Sequence, residues 1–522
     1  ADKLSGEIAV RGVNHGPASS GLHGAACAAP EGKATAVLGG EEGGRDLLMR
    51  MMAGLVEPDQ GRVTIGGKTI CDAPMPVVAR SLAYVSPDAA FFSGTLEDNL
   101  TYGLKRSPAL LENDEREDAA TRLAEALQTG NIAANPLGDW TDYKAAGVSG
   151  ATELRARIVD LAGKVGLADE LYHLGLRARL DPAKKPELAA ELLSARRELR
   201  EAAAADGEIA DVVEFWEEDR FNGNASLLEN ILFGTPANAR ASAAEYAEDR
   251  ELMAILDEVG ATGPLLKAGL AMAEQLVELL GAVDESSALL DSFPDYPKKD
   301  ILAAADIVEA SKRPDWAPKD DARRILLGFA LAFTPVRDRL DVMDDELEAE
   351  LLAARARAIP ALQGDDRVVS FGEDRYSPAL SVSENLLDGK RRYDRRSAWR
   401  RFDAFVEAAI EKGGLRPAIT EIGLDSQVGA GGSGLSAATR RRAALIRALL
   451  RRTDILIVNG VAMSAAPEDA DMRSAIRAET AGRTLVMALT ASDAAGEFDH
   501  AIVVRPDGGL REGPPAKVME AA

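Results

Sequence analysis

Gly39 and Gly44 bracket four residues directly after a short strand-like run, ATAVL, and Arg45 and Asp46 follow them. A turn of the form G-x-x-x-x-G-K-[S/T] would close on a phosphate with backbone N–H groups, a lysine and a magnesium-binding hydroxyl. This chain keeps the glycine spacing but places Arg45 where the lysine would stand and Asp46 where the hydroxyl would stand. Arginine keeps the charge, but it is bulkier and does not act as a compact point charge. Asp46, together with Glu41 and Glu42 inside the loop, sets three carboxylates beside the expected place of a polyphosphate, and these would repel it.

Other residue types that could do chemistry are few. The four histidines, His15, His23, His173 and His500, form no ligand motif, and Cys27 and Cys71 lack a metal-type spacing. With two separated cysteines, a reducing compartment is the expectation. One cluster, KRRYDRRSAWRRF at 390–402, interleaves Lys390 and six arginines with Tyr393, Trp399 and Phe402. Such a cluster could meet nucleic acid or lipid headgroups, and it could equally be a helix whose arginines meet nearby acidic segments.

The elements that must position the loop are short strands and one helix. Glu7–Val10, Ala34–Leu38 and Ser81–Val85 read as strands, Leu47–Ala53 as a helix, and GRVTIGGKTI at 61–70 as a hairpin around a Gly-Gly turn. Toward the end, ILIV (455–458) and TLVMAL (484–489) read as buried strands flanking a helix, with a strand and turn at 501–510. Between these regions the texture is helical, as in 190–204 and 344–358. The expected organisation is therefore one α/β domain, residues 1–104 and 390–522, interrupted by a helical insertion at 105–389.

Two patterns recur three times. SGTLEDNLTYG (93–103), NASLLENILFG (224–234) and ALSVSENLLDG (379–389) share a Ser/Thr, an acidic residue three positions on, and an Asn after it. Thr95, Ser226 and Ser381 with Asp98, Glu229 and Glu384 are the expected capping boxes. Gly166 and Gly175, Gly260 and Gly269, and Gly414 and Gly423 are each nine apart, as expected for helices closed by a glycine. Ordered copies of both patterns point to internal duplication.

The chain has 522 residues and a net charge of −24, with 85 acidic and 61 basic side chains. Residues 105–375 hold 54 of the acidic and 32 of the basic ones, so the charge reads as belonging to the insertion. That balance argues against a nucleic-acid coat protein and against attachment of the whole chain to anionic lipid. No run approaches the length of a membrane span, and the N-terminus does not read as a signal peptide.

With these pieces in place, residues 34–66 and 428–460 together resemble the ATP-binding cassette (ABC) ATPases. VGAGGSGLSAATRRRAALIRALLRR (428–452) with TDILIVNG resembles that family's signature helix and second strand, and YVSPDAAFFSGTLEDNL (84–100) resembles its Q-loop region. The tail 498–521 resembles its closing strands. The resemblance covers residues 1–104 and about 390–522. It implies a P-loop, RecA-like α/β core with an antiparallel β piece and an enlarged, repeated helical subdomain. It also implies ATP and magnesium as ligands, a second ABC ATPase domain and membrane-spanning subunits as partners, and a place at the inner face of a bacterial membrane.

At each position where the family does chemistry, the chain departs from the pattern. Pro87 stands for the Q-loop glutamine, Asn459 for the magnesium-orienting aspartate, Gly460 for the catalytic glutamate and Thr490 for the switch histidine. The signature reads Leu435, Ser436, Ala437, Ala438, Thr439, and Ala466 takes the D-loop aspartate position. His15 occupies the adenine-stacking position. The expected site is thus a vestigial nucleotide site of Gly39, Gly44, Arg45, Asp46, His15 and Ser436, with no catalytic residue and no resident metal. The reading is a catalytically degenerate ABC-type subunit with a structural or regulatory role, binding ATP weakly or not at all. Two alternatives stand beside it: a soluble scaffold that binds proteins through the acidic insertion, and an ATPase with unusual ligands.

Overall fold

The computed structural model describes residues 3–17, 21–39, 44–110, 118–136, 138–237, 242–280, 287–362, 368–372 and 374–520. The strands are β1 (Ile8–His15), β2 (Leu22–Ala29), β3 (Ala34–Leu38), β4 (Gln60–Ile65), β5 (Lys68–Thr69), β6 (Leu82–Val85) and β7 (Val213–Phe215). They continue with β8 (Gly234–Pro236), β9 (Val368–Ser370), β10 (Gly389–Arg391), β11 (Ile455–Val458), β12 (Thr484–Ala488), β13 (His500–Val504) and β14 (Leu510–Gly513). The chain divides into two compact units, residues 1–175 with 420–522, and residues 176–419.

In the first unit, six strands form a sheet in the order β14-β13-β3-β12-β11-β6. All neighbours except β13–β14 run parallel. β11 and β12 are buried along their whole length, as central parallel strands covered on both faces must be, which is why they read as unbroken apolar runs. A four-stranded antiparallel sheet, β2-β1-β4-β5, accompanies it. The Gly66–Gly67 turn joins β4 to β5 with both glycines at positive φ, 54° and 81°, as a tight hairpin of this hand requires. β2 escapes a sequence reading, because LHGAACAA is half alanine and carries little strand signal.

Two cores flank the six-stranded sheet. One joins Met49, Met51 and Met52 of helix Arg45–Met52 to residues of the antiparallel sheet such as Ile8, Val10 and Ile65. The other packs helices Ala151–Lys164 and Ala437–Leu450 against Leu456, Val458 and Met487. Residues 105–175 therefore complete the first unit, and residues 390–419 belong to the second. The composition-based divisions at 104/105 and 389/390 do not coincide with these units, because helical texture does not distinguish a helix covering the sheet from one in a separate core. The charge is also less concentrated than the sequence suggested. The second unit holds 48 acidic and 33 basic side chains, and the first unit carries the remainder.

The second unit is built around helices Thr262–Leu280, Asp320–Ala332 and Asp345–Leu362, whose Leu265, Met272, Phe329 and Leu351 share one core. It contains two small antiparallel pairs, β7–β10 and β8–β9. The arginine-rich stretch folds against acidic neighbours of its own unit. Lys390 meets Glu229, Arg391 meets Asp403, Arg392 and Arg395 meet Asp211, and Arg401 meets Glu208. Arg396 lies over Tyr393 and Trp399.

Candidate functional site

β3 runs straight into the glycine loop, and helix Arg45–Met52 leaves it, so strand, loop and helix stand in the order a phosphate cradle needs. Gly39 and Gly44 both adopt positive φ, 132° and 87°. A Cβ on Gly39 would stand 2.8 Å from the Val504 carbonyl oxygen, so packing as well as conformation demands glycine there. Residues 40–43, including Glu41 and Glu42, lie outside the described residues.

Arg45 is buried, and its guanidinium turns to the main chain. Nη1 donates to the carbonyl of Gly39 at 2.9 Å and to that of Leu489 at 3.2 Å, at the ends of β3 and β12. Asp46 accepts a hydrogen bond from Asn459 Nδ2 at 2.6 Å, and the Tyr84 hydroxyl lies 3.4 Å from the same amide. Burial, followed by the Asp46 charge, raises the Tyr84 phenol above its ordinary value, against a lowering from Asn459. The two positions that would flank magnesium in this fold are therefore bonded to each other.

Gly460 sits at φ 84°, and a Cβ there would fall 2.8 Å from Pro87 Cα and 2.9 Å from its Cβ. The position expected to carry a general base is thus closed by the residue at the Q-loop position. Thr490 donates its hydroxyl to the Met463 carbonyl at 2.9 Å. Ser436 caps helix Ala437–Leu450, accepting from the Thr439 N–H at 3.1 Å. His15 Nδ1 stands 3.1 Å from Asp59 Oδ2 but makes no hydrogen bond among the described residues. The structure brings Asp46, Asn459 and Tyr84 into one group and sets Gly460 against Pro87, while Ser436 and Thr490 serve local bonds and His15 lies beside Asp59.

A magnesium nucleotide needs a hydroxyl and a carboxylate turned to the metal and a cation turned to the phosphates. The side chains here do not offer that set: the cation faces carbonyls, and the carboxylate faces an amide. Among the described residues no group of three His, Cys, Asp or Glu side chains could hold a metal ion.

Sequence reasoning missed a second polar construction, which occurs three times. All three expected capping boxes are present, at Thr95, Ser226 and Ser381. The Asn that follows each one, Asn99, Asn230 or Asn385, is 1% exposed. Each accepts from and donates to the main chain of the preceding loop, at Phe92, Asn222 and Ser377 respectively. An arginine then donates to the carbonyl of that Asn: half-buried Arg447 Nε at 2.7 Å, and buried Arg355 Nε at 2.7 Å and Arg196 Nε at 2.6 Å. Burial lowers all three guanidinium pKa values, that of Arg355 to about 10. The signal was present in ALIRALL, LAARARAI and LLSARREL, where one arginine interrupts an apolar helix face.

The architecture, a parallel sheet with a glycine loop leading into a helix and an antiparallel sheet beside it, is that of a P-loop nucleotide-binding fold. The sequence pattern of the ABC transporter family matches residues 22–170. An Fe(3+) ions import ATP-binding protein, FbpC 2 of Pectobacterium atrosepticum, is 40% identical over 78 residues, 14% of this chain and 22% of that protein. The molybdenum import ATP-binding protein ModC of Rhizobium meliloti is 27% identical over 349 residues, 63% of this chain and 87% of that one. The solved structure of cbiO1 from Clostridium perfringens, described as part of the ABC transporter complex cbiONQ, aligns over 98% of this chain and 90% of that one. Identity there is 10% and the TM-score 0.33. The chain spans about a fifth of the length of the first curated relatives it matches. Within residues 22–170 the chain is thus similar to the ATP-binding proteins of ABC transporters.

Proposed function

We infer that this chain is a non-hydrolysing ABC-type subunit or domain that serves a transporter assembly as a structural or regulatory part. The observation that carries this reading is the closure of the site by its own residues: Asn459 on Asp46, and Pro87 against the Gly460 backbone. Hydrolysis needs a base near the γ-phosphate and a metal held beside it, and neither position is available to a ligand in this arrangement. ATP and magnesium bind weakly or not at all. The fold itself remains intact and can still present surfaces.

One such surface supports a partner role. Phe92 and Tyr102 flank helix Leu96–Thr101, with ring centroids 4.7 Å apart, and both remain exposed, at 46% and 56%. Exposed paired aromatics mark contact sites more often than free surface. No described helix is long and apolar enough to cross a membrane. Membrane-spanning subunits and a second ABC ATPase domain are proposed as partners, at the cytoplasmic face of a bacterial membrane.

The test is phosphate release. Purified protein with magnesium and ATP should release none above the buffer blank. Co-expression with a membrane subunit should retain the chain in the membrane fraction, and Phe92→Asp with Tyr102→Asp should release it. Steady turnover that Arg45→Ala abolishes would establish the active-ATPase alternative instead.

A further inference from the structure

The second unit contains one construction twice. Helix Pro186–Ala205, β7, helix Leu227–Leu232 and β8 make one half, and helix Asp345–Leu362, β9, helix Val382–Leu387 and β10 make the other. The halves exchange strands, β7 pairing with β10 and β9 with β8. The registers match: Gly389 lies opposite Phe215 and Lys390 opposite Glu214, as Gly234 lies opposite Ser370 and Thr235 opposite Val369. Thr235 and Lys390 are thus equivalent positions, as are the capping-box acids Glu229 and Glu384.

All four residues line one cleft of about 710 Å³. On one side Lys390 Nζ donates to Glu229 Oε1 at 2.7 Å, while Glu229 Oε2 accepts from the Ser226 N–H and hydroxyl, both at 3.0 Å. On the other side Glu384 Oε2 accepts from the Ser381 N–H at 2.8 Å and its hydroxyl at 2.6 Å in the same way. Among the described residues no ammonium bonds to Glu384, which meets the Lys390 charge only at longer range. Thr235 occupies the equivalent position, is 7% exposed, and its hydroxyl has no partner among the described residues. The remaining charged groups of the cleft are spoken for, with Arg337 on Asp295 and Lys390 on Glu229. Arg179, exposed on the strand-like bridge to Ser381, has no ion-pair partner among the described residues.

A cleft with one uncompensated carboxylate and one uncompensated guanidinium suits a ligand that carries both opposite charges. We propose that it binds a small zwitterion of the amino-acid class. Its primary ammonium takes, beside Glu384 and Thr235, the place Lys390 fills in the other half, and its carboxylate meets Arg179.

The test is a ligand-observed NMR titration of the full chain with L-lysine, 1-aminopentane and hexanoate as probes. L-lysine should bind saturably, 1-aminopentane at least fivefold more weakly, and hexanoate not at all. Thr235→Lys supplies the missing ammonium from the chain itself and should reduce L-lysine affinity at least tenfold. Glu384→Gln keeps a residue competent in the capping box, so the helix start survives, and should also cost at least tenfold. Arg179→Ala should reduce discrimination between L-lysine and 1-aminopentane. No saturable binding of L-lysine, or binding unchanged in both Thr235→Lys and Glu384→Gln, overturns the proposal.

Discussion

Two sets of polar residues in this chain are bonded in different ways. In the Asn–Arg constructions at Asn99, Asn230 and Asn385, found in both compact units, each Asn bonds to its loop and each arginine Nε to the Asn carbonyl. At the glycine-loop site, by contrast, two of the expected ligand-binding positions bond to each other, Asn459 to Asp46. The polar groups that fix a loop onto a helix are satisfied by the chain alone, whereas groups that hold metal and phosphate are satisfied only by a ligand. A polar group that bonds to a neighbouring side chain needs no ligand to escape the cost of being buried unpaired.

The strongest way to break this comparison is to remove one arginine. Arg355 donates to Asn230 and to the carbonyls of Glu217, Glu218 and Arg220. Arg355→Ala should destabilise the second unit by about 3–4 kcal/mol, since several buried carbonyls lose their donor at once. Urea unfolding followed by tryptophan fluorescence measures this, because Trp216 and Trp316 lie in that unit. A loss below about 1 kcal/mol would mean the network is incidental.

Next in size is the Lys390–Glu229 pair. Burial pushes the Glu229 carboxyl up, but Lys390 and the Ser226 bonds more than offset it, so it sits below its ordinary value of 4.5. Burial likewise opposes the Lys390 ammonium, and Glu229 outweighs it, so that group sits above 10.5. Because the carboxyl is depressed on folding, its contribution is complete above pH 4.5 and is lost as pH falls through the folded value; because the ammonium is raised, its contribution is complete below pH 10.5 and is lost above it. Lys390→Met should cost about 3 kcal/mol at neutral pH and much less in acid. Denaturant midpoints of both forms at pH 3 and pH 7 give the comparison.

A smaller effect is expected from restoring a glutamate at the base position. Gly460→Glu meets Pro87 and a positive φ, and should cost about 2 kcal/mol without producing turnover. Thermal unfolding and a phosphate-release assay on the same sample check both parts. Asn459→Ala should cost least, about 1 kcal/mol, because the half-exposed Asp46 carboxylate can turn to water.

The core of the fold was legible because its strands are short, apolar and bounded by turns: ATAVL, ILIV and TLVMA lie where their composition places them. The three capping boxes were legible for the same reason, since each is a local pattern with a local partner. The limits between compact units were not legible. Helix Ala151–Lys164 looks like those of the second unit, but its Leu154, Ile158 and Leu161 pack in the core of the first. At the site, the expected residues could be named from sequence, but not where they turn. That Arg45 reaches Leu489, or that Pro87 closes on Gly460, depends on strands brought together from distant parts of the chain. The arginines of the Asn constructions passed unnoticed because a charged residue in a helix ordinarily reads as exposed.

The most direct test of a self-satisfied site is isothermal titration calorimetry of the chain with magnesium ATP at neutral pH. The account predicts no saturable heat up to millimolar nucleotide. Saturable binding with a micromolar dissociation constant would contradict it, because Arg45 and Asp46 would then have to leave their bonds to Leu489 and Asn459 for the ligand.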